Sequence, residues 1–171
     1  MRTTLVAIAA ASLLAGCASF DGRSLVPGQS RAADVEKAMG RPHQSLALPN
    51  GDQALYFSRL PEGRKMYVAI VSPEGTLREI QQRLDYPYIR KIVPESTTAK
   101  QVRELLGPPW TESFMPLKKQ TVWEYPWQLA EERRILWVHF SGDGIVREVI
   151  ELHDYQSDPP SGDDGGAGAM P

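Results

Sequence analysis

The chain has 171 residues, 42% apolar and 23% charged, with a formal net charge of -2, an ordinary composition for one compact globular protein or two small ones. Its slight acidity excludes the basic footprint by which nucleic-acid binders neutralise phosphate, so nucleic acid is not an expected partner. Glycine and proline number 14 each, too few for a low-complexity chain, and their clusters mark boundaries.

In chain order, Met1-Arg2 supplies a short positive region and Leu5 to Ala15 an apolar stretch. That stretch is about ten residues, the length of a secretory leader, and well short of the roughly 20 that span a bilayer. No later segment approaches a spanning length. The leader ends in Leu14-Ala15-Gly16-Cys17, which resembles the lipobox of bacterial lipoproteins. The resemblance implies a signal peptide over residues 1–16, lipid attachment at Cys17, and a lipidated tether over 17–25. Cys17 is the only cysteine, so no internal disulfide forms. Buried acyl chains contribute about 0.8 kcal/mol per CH₂, and the several chains that a lipobox implies give stable attachment where one does not. Ala18 and Ser19 follow, and a cysteine without a following aspartate resembles lipoproteins sorted to the outer membrane, facing the periplasm.

From Val26 the chain repeats itself. Val26-Pro27-Gly28-Gln29-Ser30 matches Val93-Pro94-Glu95-Ser96-Thr97, and Val35 to Pro42 matches Val102 to Pro109 at the same offset of 67 residues. Arg64 to Ile80 matches Arg133 to Val149 at an offset of 69. Two tandem units follow, over 26–85 and 93–155, joined by a linker over 86–92. Each opens with a helix capped at Ser30 or Thr97, buries Val35, Ala38 and Met39 or Val102, Leu105 and Leu106, and stops at Gly40 or Gly107 before a proline. First strands are predicted at Gln53–Ser58 and Thr121–Tyr125. The near-continuous apolar runs Met66–Val71 and Ile135–Phe140 suit central strands covered on both faces. Ser72-Pro73-Glu74-Gly75 and Ser141-Gly142-Asp143-Gly144 turn the chain into third strands. Leu77, Ile80 and Leu84 alone would suit a helix, but the matching β-branched run from Ile145 to Ile150 selects strand for both. The expected class is α+β, two tandem α-β-β-β units, each an antiparallel three-stranded meander with a helix on one face. Units of about 60 residues bury little alone, so a shared core or sheet is expected. The stretch 156–171, rich in Gly, Asp, Pro and Ser, reads as a flexible tail.

Gly28-x-Ser30, Val35 and Met39-Gly40-x-Pro42, followed by strands, resemble the BamE (SmpA/OmlA) family of small outer-membrane lipoproteins. This resemblance implies a part in assembling β-barrel proteins into the outer membrane, through non-covalent contacts rather than catalysis. The second copy departs from the motif with Glu95 in place of glycine. The tandem architecture is also similar to the β-lactamase inhibitor protein, which presents a concave sheet to its target; that likeness concerns fold and binding mode.

No enzyme signature appears. His43, His139 and His153 share no metal-ligand spacing, and no Gly-x-Ser-x-Gly occurs. Glu79 and Glu148 recur in register, each after an arginine, which favours a structural or solvated role over a carboxylate pair. Lys118-Lys119 and Arg133-Arg134 are short basic pairs that could meet anionic headgroups, though such pairs are commonly solvated turn residues. All four tryptophans lie in the second copy. Trp123 and Trp137 sit in strand patterns and read as core, whereas Trp110 and Trp127, each after a proline, read as exposed loop residues and are the candidate partner contacts. No catalytic residue, metal, cofactor or small-molecule substrate is expected. The sequence thus predicts an outer-membrane-anchored lipoprotein that binds the membrane through Cys17 and envelope proteins through its folded part, with β-barrel assembly as the suggested setting. The alternative is an anchored inhibitor or regulator of a periplasmic enzyme.

Overall fold

The structure, a computed structural model, describes residues 20–155. The signal peptide, Cys17 and the tail from Gln156 lie outside the described residues. The elements run α1 (Ala32–Met39), β1 (Gln44–Ala47), β2 (Gln53–Ser58), β3 (Met66–Val71), β4 (Leu77–Gln82), α2 (Tyr86–Ile89), α3 (Ala99–Leu106), β5 (Thr111–Met115), β6 (Gln120–Leu129), β7 (Glu132–Phe140) and β8 (Val146–His153). The class is α+β, with two antiparallel four-stranded sheets in the orders β1-β2-β3-β4 and β5-β6-β7-β8.

Each sheet therefore has one strand more than the sequence predicts. The additional strands, β1 and β5, are edges formed from segments read as polar loops. They satisfy backbone groups by pairing with β2 and β6; of β1 only Leu46 packs against the core, and all five β5 residues are exposed. The helices start one residue later than predicted. Ser30 and Thr97 close the preceding turns, their hydroxyls accepting from Val26 N at 2.9 Å and Val93 N at 2.8 Å. The caps are Arg31 and Thr98. Thr98 Oγ1 accepts from Gln101 N at 3.2 Å while Gln101 Oε1 accepts from Thr98 N at 2.8 Å, the reciprocal pair of a capping box. Arg31 has no acceptor to offer, so α1 keeps only the returning half, Arg31 N to Asp34 Oδ2 at 2.8 Å.

The two halves repeat in hydrogen bonds as they do in sequence. Gly28 N donates to Leu77 O and Glu95 N to Val146 O, both at 2.8 Å. A register shift falls at Ile70/Val71 in one sheet and at His139/Phe140 in the other. Glu95 occupies the place of Gly28 with φ 62° against 81°, a left-handed conformation that costs a residue with a Cβ roughly 1–2 kcal/mol. Its carboxylate meets the guanidinium of Arg147, which also pairs with Asp143 at 2.8 Å.

Two apolar clusters set the layers. In the smaller, Val35 and Met39 of α1 pack on Leu55, Phe57, Ala69, Val71 and Leu77, which alternate onto one face of the first sheet. In the larger, the opposite face of that sheet (Ala54, Tyr56, Met66, Val68, Ile70) meets Ile89 of α2, Val102 and Leu106 of α3, and Trp123, Tyr125, Leu136, Val138 and Phe140 of the second sheet. The first sheet is thus covered on both faces, as its apolar β3 predicts, and the units share a core. Tyrosines from both sheets hold the end of α3, with Tyr56 Oη donating to Glu104 O at 2.6 Å and Tyr125 Oη to Gly107 O at 3.1 Å. A Cβ on Gly107 would stand 2.8 Å from Tyr56 Cδ1 and 3.0 Å from Met66 Sδ, whereas one on Gly40 would meet nothing within 4 Å. Helix α3 is docked on two sides and α1 on one.

The linker is not a bare connection. Asp85 caps α2 by accepting from Tyr86 N, and Ile89 and Ile92 enter the shared core. The part of the tether that is described, from Phe20 to Leu25, is also packed. Leu25 joins the α1 cluster, and Arg59 Nη2 binds the carbonyls of Phe20 at 3.2 Å and Met39 at 2.8 Å. No helix among the described residues is long and apolar enough to cross a membrane.

Candidate interaction face

Side chains alternate along a strand, so strand pairing assigns each residue of the second sheet to a face. Trp123, Tyr125, Leu136 and Val138 face the shared core. The intervening residues form the outer face: Val122, Glu124 and Pro126 on β6, then Ile135, Trp137 and His139 on β7, with Ile150 and Leu152 opposite on β8. None of the apolar residues among them belongs to either core cluster. Helix α3 lies on the other side of this sheet, and among the described residues no helix covers the outer face.

Register shows what this face corresponds to. Tyr56 pairs with Val68 and Ala54 with Ile70 in the first sheet; Glu124 pairs with Trp137 and Val122 with His139 in the second. Val122, Glu124, Ile135, Trp137 and His139 thus stand where Ala54, Tyr56, Met66, Val68 and Ile70 stand, and only the first-sheet set is overlaid by α2 and α3. At one end of the open face lies a pocket of about 400 Å³, lined in part by Trp110, Glu124, Pro126, Ile135 and Arg133 and closed by the loop carrying Pro61, Glu62 and Arg64. Glu124 accepts from Trp137 Nε1 at 2.8 Å, and Trp110 N donates to the Glu124 carbonyl at 2.9 Å. Trp110 is 47% exposed. Trp110 therefore lies at a surface, as predicted.

Trp127 does not. It is 0% exposed, on the core side of β6, with the Tyr86 ring edge-on at 5.1 Å. The adjoining Pro126 suggests a loop, but β6 runs through it. The Glu124 carbonyl points toward β5, and Pro126, two residues on, points the same way beyond the end of that strand at Thr111. A missing N–H at an unpaired edge costs no ladder bond. Trp127 is thus removed from the candidate contacts. Trp137, read as core, is half-buried on the open face instead.

The remaining candidates do not assemble into a catalytic site. His43 Nδ1 accepts from Ser58 N at 3.2 Å at the end of the β1–β2 hairpin away from its turn, and the His153 ring lies 4.3 Å from that of Tyr155. Glu79 and Glu148 lie on different sheets, the latter paired with Lys118 at 3.0 Å. Arg134 pairs with Glu132 at 2.6 Å. Among the described residues no three His, Cys, Asp or Glu side chains could hold a metal ion.

No family model and no curated protein matches the chain. Among solved structures it is similar to a DUF4309 family protein (YjgB) from Bacillus subtilis subsp. subtilis str. 168, with 17% identity over 77% of this chain and 84% of that one, and a TM-score of 0.31.

His139 is 2% exposed; its Nδ1 lies 3.2 Å from Gln120 Oε1, and its Nε2 has no hydrogen-bond partner. Burial pushes its pKa below the ordinary 6.5, against the pull of Glu148 and together with the repulsion of Lys118. The folded chain thus takes up this proton later than the unfolded chain, and stability present above pH 6.5 is lost as the pH falls below it. Urea midpoints should drop between pH 7.5 and 5.5 in the wild type and drop less in His139→Gln. Equal drops would remove His139 from the pH response.

Proposed function

We propose that the chain is a lipid-anchored, non-catalytic binding module of the bacterial envelope, acylated at Cys17, held on the outer membrane facing the periplasm, and engaging another envelope protein through the open face of its second sheet. One observation carries the binding part. The face that α2 and α3 bury on the first sheet meets neither helix on the second, where Ile135 and Trp137 are part-exposed beside Trp110, which is 47% exposed. Apolar patches rimmed by polar groups mark interaction sites, and tryptophan is enriched where binding energy concentrates. The anchor is supported by the lipobox-like residues before Cys17. The BamE-like signature around Gly28, Ser30, Met39, Gly40 and Pro42 supports β-barrel assembly as the setting.

The test is a crosslinking pull-down from intact envelopes with wild type and a Trp110→Ala, Ile135→Ala double variant, which leaves both core clusters in place. The wild type should recover barrel-assembly proteins, and the variant at least tenfold less (a loss of about 1.4 kcal/mol). Equal recovery by both proteins would overturn the assignment of the face. Capture of a single soluble periplasmic enzyme instead would replace the assembly setting by an inhibitory one.

A further inference from the structure

We infer that β5 is a site of strand addition, where an extended segment of the partner protein pairs along the free edge with an apolar side chain opposite Phe114. The inference rests on the binding role proposed above and adds where, and in what conformation, the partner is held.

The backbone supplies the first part. Main-chain groups point alternately to the two sides of a strand. Those of Glu124 point to β5, where its carbonyl accepts from Trp110 N at 2.9 Å. Thr111, Ser113 and Met115, which stand opposite Glu124, Val122 and Gln120, therefore point back to β6. The N–H and C=O of Glu112 and Phe114 point away from the sheet, and no other segment among the described residues bonds to them. The edges of the other strands are better guarded. Leu77 on β4 and Val146 on β8 have their outward N–H and C=O taken by the turns ahead of α1 and α3. Arg78 and Glu79, or Arg147 and Glu148, follow them, and covered groups and charges are what keep an edge from pairing.

The side chains supply the second part. β1 is the counterpart of β5, and at the offset of 67 residues Ala47-Leu48-Pro49-Asn50 faces Phe114-Met115-Pro116-Leu117. Leu48 packs against the core, whereas Phe114, Met115 and Leu117 are 62%, 39% and 102% exposed. With Trp110 they make four of the eight large apolar side chains exposed among the described residues, all within residues 110–117. Apolar surface gathered in this way marks an interaction site. β5 has no lysine or proline to guard it, and its one charge, Glu112, is paired with Arg103 at 2.8 Å.

Two nearer occupants do not fit. A second copy paired two-fold about Ser113 would set each Glu112 opposite a Phe114, so neither ring would gain an apolar neighbour. The chain's own segment from Gln156 has Met170 as its one large apolar residue and lacks the alternation of a strand. What fits is a segment of another protein with an apolar residue facing Phe114 and no acidic residue facing Glu112, since like charges directly opposite destabilise a pair.

The test places a photo-crosslinking amino acid in the full-length lipidated chain, in growing cells, at Glu112, Ser113 or Phe114, with Ser45, the β1 equivalent of Glu112, as control. Adducts from Glu112 and Phe114 should map to residues two apart in one segment of one partner, and Ser45 should give none. Phe114→Pro removes an outward N–H but no bond to β6. With the crosslinker at Ser113 it should lower the yield roughly tenfold or more, because a partner carbonyl is left without its donor. Phe114→Ala, which keeps that N–H, should lower it less at the same urea midpoint; where the midpoints differ, the spacing mapped on the unsubstituted chain decides. Adducts three or four residues apart would mean a helix and would overturn the inference, as would adducts to this chain itself or equal losses from the two Phe114 variants. If the pull-down recovers a protein to which β5 gives no adduct, this inference fails while the binding role stands; if neither experiment recovers a protein, both fall.

Discussion

Trp127→Ala is expected to lower stability by about 3–5 kcal/mol, the cost of removing a large buried aromatic and leaving a void. The indole is fully buried, and it lies where α2 closes onto the second sheet, with Tyr86 against its ring. Arg90 stacks on the far side of this contact, its guanidinium 4.7 Å from the Tyr86 centroid, so the void would open beneath the segment that joins the two halves. Domains are stable by roughly 5–15 kcal/mol, so a loss of that size removes a large share of the whole. Urea unfolding should show a lower midpoint at unchanged slope. Trp127→Phe should lose less, since the Trp127 Nε1 has no hydrogen-bond partner and its removal also removes the cost of an unmet donor. Trp110→Ala, at a half-exposed site, should stay within about 0.5 kcal/mol of wild type. A Trp127→Ala protein as stable as Trp110→Ala would mean that the second sheet does not close over this ring.

That contrast also marks the limit of what the sequence discloses. The repeat was legible because the residues that end helices and turn hairpins have few substitutes: Gly40 and Gly107, Gly75 and Gly144, and the arginines at 78 and 147 fall at fixed spacings, and the hydrogen bonds follow them. Helix, central strands and a shared core came with it. Edge strands were illegible, because β1 and β5 pair backbone without needing an apolar alternation. Trp127 was misplaced because a proline usually argues against strand, and only the length of β5 relative to β6 shows that Pro126 sits at an unpaired edge. Helix α2, at four residues, is too short to show a period. The two-sided docking of α3 did leave a trace in the repeat, in Leu105 standing where α1 has Ala38. Recognising it required knowing that one helix is covered on two sides and the other on one.

The ion pair between Arg64 and Asp154 should carry a cost of similar size to that of Trp127, about 3–5 kcal/mol for Arg64→Ala or Asp154→Ala, because either leaves a buried charge without its counter-ion. Both side chains are 7% exposed. Arg64 ends the loop before β3, with its backbone at φ 48°; Asp154 follows β8. The pair thus ties the first half to the last residues of the second. Arg64 Nη1 also donates to the Arg134 carbonyl at 3.1 Å, and Asp154 N to the Arg133 carbonyl at 2.9 Å, so both partners are fastened to the start of β7. The same residues close the pocket beside Trp110, which links the clamp to the open face. Residues that act as a unit lose their contribution once. The double variant Arg64→Ala, Asp154→Ala should therefore cost well below the sum of the two single variants, since neither charge is then stranded. A fully additive double variant in urea unfolding would show that the two side chains act separately, and the clamp between the halves would have to be sought in the Tyr56 and Tyr125 contacts with α3 instead.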